Sequence, residues 1–261
     1  MKSLKIILKF LYLKFKSHIA FRTDTVLQIL FGILDTLFAF LFFNVIYSYV
    51  DNVVGFEKGE IYILTGTAYL LDTLHRSIFG TGIFSLSILV KSGRLEKYLI
   101  RPFKPNVLVA FREPRFDMFY RLPSYFVLFI YGFYLLKTFP SFFDILLFFT
   151  SFSISSLIYI FLSYNITLLT FWIIEVYNLY YIIYDFYEFA RYPEKIYKGI
   201  FRKIFITIIP VIILSNYPVK FLLKERNYFF LFYQIFILFI FFLIFKLMWK
   251  RGLRRYEGAT I

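Results

Sequence analysis

The sequence predicts an all-α integral membrane protein with about six transmembrane helices, filling residues 1–261 as a single transmembrane domain. Apolar residues make up 60% of the chain and its mean hydropathy is +0.71, against about 45–50% apolar in a typical soluble domain. The excess is gathered into runs such as 142–174 and 228–248, each longer than the roughly 20 residues a helix needs to cross a bilayer. The net charge of +14 is clustered beside these runs. That is the pattern of membrane orientation and anionic lipid headgroups, so the partners it implies are membrane lipids and not nucleic acid.

Residues 1–22 hold Lys2, Lys5, Lys9, Lys14, Lys16 and Arg22 without an acid, and Leu4, Leu8, Leu11 and Phe15 recur at helical spacing. One apolar stripe on a basic helix suits the membrane interface. The recurring lysines leave no clean apolar core for a cleaved signal peptide. The first span is 25–49, interrupted by Asp35 and Asn44, and Asp51, Glu57 and Glu60 follow it. Positive residues prefer the cytoplasmic side, so the N-terminus is expected inside and this acidic loop outside. The second span, 61–84, contains Asp72, His75 and Arg76. Asp72 and Arg76 lie four apart, on one helix face, and are expected to form an intramembrane ion pair.

The stretch 88–106 is basic and punctuated by Gly93, Pro102 and Pro105. From Lys91 to Arg121 it belongs to a region with eight basic residues against three acids. This places it in the cytoplasm after two crossings. Gly93 is expected to break the preceding helix, and Pro102 and Pro105 to end a short one after it. The third and fourth spans are 119–136 and 142–172. The fifth, 176–190, is crowded with tyrosines, and Asn178, Tyr181 and Asp185 make one polar face. That face reads either as a hydrogen-bonded stripe turned into the bundle or as the lining of a transport path.

Residues 191–227 are marked by Pro193, Pro210 and Pro218 and carry eight basic residues. They are read as a re-entrant segment entering from the outer face, which is tolerable at membrane depth only when packed on protein or water. A second arrangement takes 204–214 as the fifth span in place of 176–190. The last span is 229–248, and the basic tail after it returns to the cytoplasm.

No G-x-x-x-x-G-K-[ST] occurs, so the chain has no P-loop. His18 and His75 are the only histidines and there is no cysteine. No metal-ligand pattern or Ser/His/Asp arrangement follows from them. The chain is not expected to be an enzyme by itself, and a lipid-modifying enzyme would need a cluster of His and acidic residues that the sequence does not offer.

Three motifs in order resemble the membrane subunit of ABC exporters of the type-2 permease class. Val90-Lys-Ser-Gly-Arg-Leu-Glu-Lys-Tyr-Leu-Ile-Arg-Pro-Phe103 is similar to that family's I-x-x-G-x-L-D-x-x-L-x-R-P element, with Glu96 in place of the usual Asp. Phe189-Ala-Arg-Tyr-Pro-Glu-Lys-Ile-Tyr197, with Ile209-Pro210 and Asn216-Tyr-Pro218, resembles its proline-marked segment before the last span. Arg251-Gly-Leu-Arg-Arg-Tyr-Glu257 is similar to its G-L-x-R-Y tail. The resemblance implies a permease in the cell membrane with both termini cytoplasmic. It would pair as a homodimer or heterodimer with a similar permease, on separate cytoplasmic ABC ATPase subunits. ATP and Mg would be used by those subunits, with no cofactor bound by this chain. It also implies a coupling helix in 88–106, formed by Gly93, Leu95, Glu96, Leu99, Arg101 and Pro102. The competing reading is a non-transporting membrane anchor or assembly subunit. The aromatic fifth span could suit amphiphiles, and the basic outer segment could favour anionic headgroups.

Overall fold

A computed structural model describes residues 22–173 and 177–258; side chains at 22, 177–180, 257 and 258 are not described. The interface helix expected over 1–22 lies outside the described residues. Those residues are helical throughout, apart from turns and one isolated antiparallel bridge between Val53 and Phe56. We number the α-helices α1 (Arg22–Tyr47), α2 (Lys58–His75), α3 (Thr81–Lys91), α4 (Glu96–Leu99), α5 (Pro105–Ala110), α6 (Leu122–Leu136), α7 (Phe142–Thr167), α8 (Tyr177–Tyr187), α9 (Gly199–Lys203), α10 (Ile212–Leu222) and α11 (Phe229–Gly258).

Among the described residues, five helical stretches are long and apolar enough to cross a membrane: Thr23–Tyr49, Lys58–Lys91, Phe116–Leu136, Phe142–Phe171 and Phe229–Tyr256. The second is α2 and α3 joined by a π-helical turn, Arg76–Gly80, the kind of bulge that accumulates at functional sites. Helix α7 opens on a capping box: the Asp144 amide donates to Ser141 Oγ at 3.3 Å, and the Ser141 amide returns to Asp144 Oδ2 at 2.9 Å. Helix α11 runs on through the basic tail to Gly258 and does not stop at Met248.

Over the stretch expected as the fifth span, 176–190, the described backbone is helical from Tyr177 and changes type near its end. Helix α8 has 11 residues, a rise of about 16 Å, roughly half of a bilayer core. It tightens into a 3₁₀ turn, Glu188–Arg191, and Tyr192 is then extended at φ −114°, ψ 152°. Pro193 is the cause, because the residue before a proline is pushed out of the helical region.

The chain then bends back on itself. Gly199–Ile208 and Ile212–Leu222 form a pair of helical arms bent by 88°. Both ends of this hairpin lie at the same end of the bundle. At its start, Ile196 and Tyr197 share a cavity with Ile46, Val53 and Ile61. At its finish, Arg226 Nε lies 2.6 Å from Asp144 Oδ1 at the start of α7. The start of α2 and the end of α6 meet there as well, since a Cβ on Gly59 would come within 2.6 Å of Gly132 O and of Leu136. This is the acidic-loop end of the molecule. At the opposite, basic-loop end, α3, α5, the end of α7 and the end of α11 share a core of Leu89, Leu95, Val109, Leu168, Phe171, Phe245 and Tyr256. Helix α10, the returning arm, is buried at every residue, packed on Ile158, Tyr159 and Leu162 of α7. Irregular backbone at depth is thus shielded by protein, as it must be.

Candidate functional site

The basic-loop end presents a short, well-fixed projection. Helix α3 stops at Lys91 and Gly93 takes φ +69°, with its amide donating to Val90 O at 3.3 Å. A left-handed residue after a helix is the standard site for glycine, because a Cβ costs energy there. Helix α4 follows and closes before Arg101–Pro102. Pro105 does not end this helix, as the sequence suggested. It opens α5 from the first helical turn, where its missing N–H costs nothing.

Three contacts hold the projection to the bundle. Gly82 of α3 sits so close to α5 that a Cβ would come 2.2 Å from Ala110 O. The Tyr164 hydroxyl of α7 donates to Asn106 O. Leu95 is fully buried. Leu95 is therefore an inward anchor and presents nothing to solvent, and Leu99 is half-buried. Gly93, Glu96, Arg101 and Pro102 are exposed. Ile100, absent from the sequence-derived set, is 84% exposed at the tip. Behind it, Arg115 pairs with buried Asp117 at 2.7 Å, and that hydrogen bond raises the guanidinium pKa and keeps the charge in place.

A polar cluster lies at the π-turn. Arg76 Nε is 2.8 Å from Asp72 Oδ2, and its guanidinium stacks 3.8 Å from the Tyr184 ring centroid. The Tyr159 hydroxyl donates to Asp72 Oδ1 at 3.0 Å, and the His75 ring stacks on Tyr159 with centroids 3.8 Å apart. His75 Nε2 is 3.0 Å from Ser163 Oγ, and the Tyr187 hydroxyl donates to Ala68 O at 2.9 Å. Every charged member has an opposite charge or ring against it, which is what makes ions tolerable in a bundle. The cluster ties α2, α7 and α8 together where α2 bulges. Among the described residues, no group of His, Asp and Glu could hold a metal ion.

A cavity of about 340 Å³ opens beside it, lined by Asp35, Phe42, Thr65, Tyr69, Arg191 and Tyr192, among others. Asp35 lies near the middle of the first long helix and receives the Tyr125 hydroxyl at 2.8 Å, with Arg121 Nη1 3.6 Å away. Arg121 in turn donates to Gln28 at 2.6 Å. Arg191 pairs with Glu188, and its guanidinium lies 4.6 Å from the Tyr69 ring centroid. In both pairs the acid is the more exposed partner: Asp35 at 38% against Arg121 at 21%, and Glu188 at 47% against Arg191 at 25%. Carboxylates open to the surface at this depth cannot face hydrocarbon, so this flank must meet protein or water.

Of the polar face expected on the fifth span, Tyr181 and Asp185 are exposed along α8, and the Asn178 side chain is outside the described residues. Neither Tyr181 nor Asp185 lines the cavity. The cavity was legible only in part. Asp35 stood out as a charge inside an apolar run, whereas Arg121 and Arg191 looked like flanking charges. The chain fold brings Arg191 to the cavity wall and Arg121 to Asp35.

The hairpin at the acidic-loop end is locked by a buried pair. Lys220 Nζ donates to Glu194 Oε1 at 2.7 Å, with side chains 10% and 6% exposed, and Arg202 Nη2 is 3.7 Å from the same oxygen. Lys220 Nζ also lies 3.9 Å from the Phe230 ring centroid. Asn216 accepts from the Glu194 amide at 2.8 Å and donates to Tyr192 O and Ile212 O. Pro193 and Pro210 are buried at the two bends, and Pro218 lies inside α10. Of the eight basic residues in 191–227, Arg191, Arg202, Lys220 and Arg226 each have a carboxylate partner, which reduces the charge conflict that the sequence presents on this side.

Five long apolar helices, a bent hairpin and a fixed projection at one end define a polytopic α-helical membrane protein. The family model for ABC-2 family transporter proteins matches residues 33–260, and the chain belongs to that family. No curated protein and no solved structure matches it.

Proposed function

We propose that the chain is the permease subunit of an ATP-driven exporter, moving its substrate outward by alternating access. ATP and Mg are used by a separate ABC ATPase subunit that docks on the projection at Gly93–Lys104. The chain works in the cell membrane as a homodimer or with a similar permease, and the basic-loop end, with the C-terminus, is cytoplasmic. Family membership supports transport. The observation that carries the docking is the exposed tip itself: Ile100 at 84% exposure, flanked by exposed Lys97 and Arg101, on a loop fixed by Leu95, Gly82 and Tyr164. A residue of that kind, ringed by charge, is what a partner groove would bury. The flank with Asp35, Glu188 and Arg191 is the candidate path, since its carboxylates need water or a second protomer beside them.

Ile100→Glu should therefore release the ATPase subunit, weakening its binding at least tenfold in the detergent-purified complex while the amount of inserted permease stays constant. Equal co-purification by the variant would remove the docking assignment. Because the chain has no cysteine, Lys198→Cys provides a single label site on the exposed start of the hairpin. An impermeant maleimide should label it in intact cells. Labelling only after permeabilisation would reverse the orientation.

A further inference from the structure

Helices α6 and α7 follow one another in the chain and barely touch. Helix α6 packs on α2, and α7 packs on α10 and α11. Between α6 and α7 runs a groove of about 420 Å³, closed at one end by Pro140 of the connecting turn. One wall is Leu122, Phe126, Phe129 and Phe133, spaced so that they share one face of α6. The other wall is Ile145, Phe148, Phe149 and Phe152, which share one face of α7. Leucines of α2 and α10 complete the lining, and no polar side chain among the described residues belongs to it. Exposure rises outward: Leu222 and Phe148 are buried, whereas Phe126 and Phe149 are 53% and 59% exposed. The groove therefore opens sideways, between two helices long and apolar enough to cross a membrane. Hydrocarbon, and not water, reaches it there.

Length and charge select the occupant. From Leu122 to Phe133 the α6 wall rises about 16 Å, close to half of a hydrocarbon core roughly 30 Å thick. That is the depth of one leaflet, hence of one acyl chain. The end closed by Pro140 is charged. Arg226 Nη2 donates to Ser141 Oγ at 3.1 Å, beside Pro140. Lys137, at the end of α6, and Lys224, two residues after Leu222, are exposed, and neither pairs with a carboxylate among the described residues. Residues 137–144 and 222–227 hold these three cations against two acids, Glu225 and Asp144, and the Asp144 side chain is 0% exposed against Arg226. One net positive charge thus stands at this end, which suits the single negative charge of a phosphodiester.

We propose that the groove between α6 and α7 holds one acyl chain of a membrane phospholipid, with the lipid phosphate at Lys137, Lys224 and Arg226. The lipid fills the gap that the two helices leave and becomes a fixed part of this flank. The groove shares no lining residue with the Asp35 cavity, and the assignment does not rest on the transport reading.

The test uses the full chain purified in detergent, stripped of lipid and titrated with dioleoyl phosphatidylglycerol, with bound lipid counted by native mass spectrometry. Wild type should take up its first lipid about tenfold more tightly than those that follow, and Ile145→Trp, which fills the groove from its exposed rim, should erase that difference; excluding as few as two methylenes is worth about tenfold. Leu146→Trp places the same ring on an exposed position outside the groove and should bind as wild type does. The double variant Lys137→Gln/Lys224→Gln should weaken phosphatidylglycerol several-fold and leave dioleoylglycerol, which has the same chains and no phosphate, unchanged. A tight first lipid in Ile145→Trp, or none in wild type, would overturn the groove as a site. Dioleoylglycerol bound by wild type as tightly as phosphatidylglycerol would overturn the role of the three cations. Dimers that Ile145→Trp splits without loss of lipid would mean that a second copy covers the groove instead. Should Ile145→Trp fail to fold, a phosphatidylglycerol with a diazirine in its acyl chain decides on wild type. Its crosslinks should concentrate on 122–133 and 145–152, and an even spread over the exposed helices would overturn the proposal.

Discussion

Replacing Gly93 with proline should abolish export while the permease still inserts at wild-type level. Gly93 sits at φ +69° with nothing within 4 Å of where a Cβ would be. The effect is therefore one of backbone conformation and not of collision. Proline is fixed near −65° and has no N–H, so the variant cannot take the turn that ends α3 and loses the bond to Val90 O. Leu95 would be pulled from its buried place and Ile100 re-aimed. Gly93→Ala should be much milder, costing roughly 1–2 kcal/mol for the left-handed conformation. Glu96→Arg reverses an exposed charge beside Tyr256 and is expected to stop export without disturbing the fold. Export assays in inside-out vesicles, with membrane levels measured in parallel, check all three. Full export by both Gly93→Pro and Glu96→Arg would remove this loop from the coupling path.

The second large effect lies at the other end. Lys220→Met should destabilise the protein by about 3–5 kcal/mol, because it leaves Glu194 buried with only Arg202 near it, and a broken buried ion pair costs that much. For a chain of this size the melting temperature should fall by on the order of 10 °C. The double variant Glu194→Leu/Lys220→Met should be more stable than Lys220→Met alone, since removing both charges also removes the uncompensated one. Thermal unfolding in detergent, followed by circular dichroism, reads both. A double variant that is merely the sum of the two singles would mean that the pair does not hold the hairpin.

Much of this architecture could be read along the chain. Long apolar runs have one physical solution in a bilayer, a helix that satisfies its own backbone, so the helices through 25–49, 142–172 and 229–248 announce themselves. Gly93 announced the end of α3 for a similarly local reason. Where the reading fell short, neighbours outweighed local pattern. The apolar run at 176–190 says nothing of its helix stopping at Tyr187 to become a 3₁₀ turn before Pro193. Leu95 and Ile100 are both apolar residues in a basic loop, and only packing decides that the first is an anchor and the second a tip. The polar face of α8 drew attention to Tyr181 and Asp185, while the cavity is assembled from Asp35, Tyr69 and Arg191 on three separate elements.

By itself, then, the sequence determined the class: an all-α membrane protein of the ABC-2 family, with a basic loop after the second long helix and proline-marked irregular backbone before the last. The helical class, the loop and the proline-marked stretch follow from composition, spacing and charge, which act locally; the family rests on the resemblance of three motifs and on the family model. The tertiary structure alone decided that both ends of the hairpin share one end of the bundle and that Glu194 meets Lys220 across 26 residues. It also decided that the tail's Tyr256 shares one buried cluster with Leu95 of the basic loop. Such pairings depend on how helices pack side by side, and packing is set by the whole surface of each helix, which no single stretch of sequence contains.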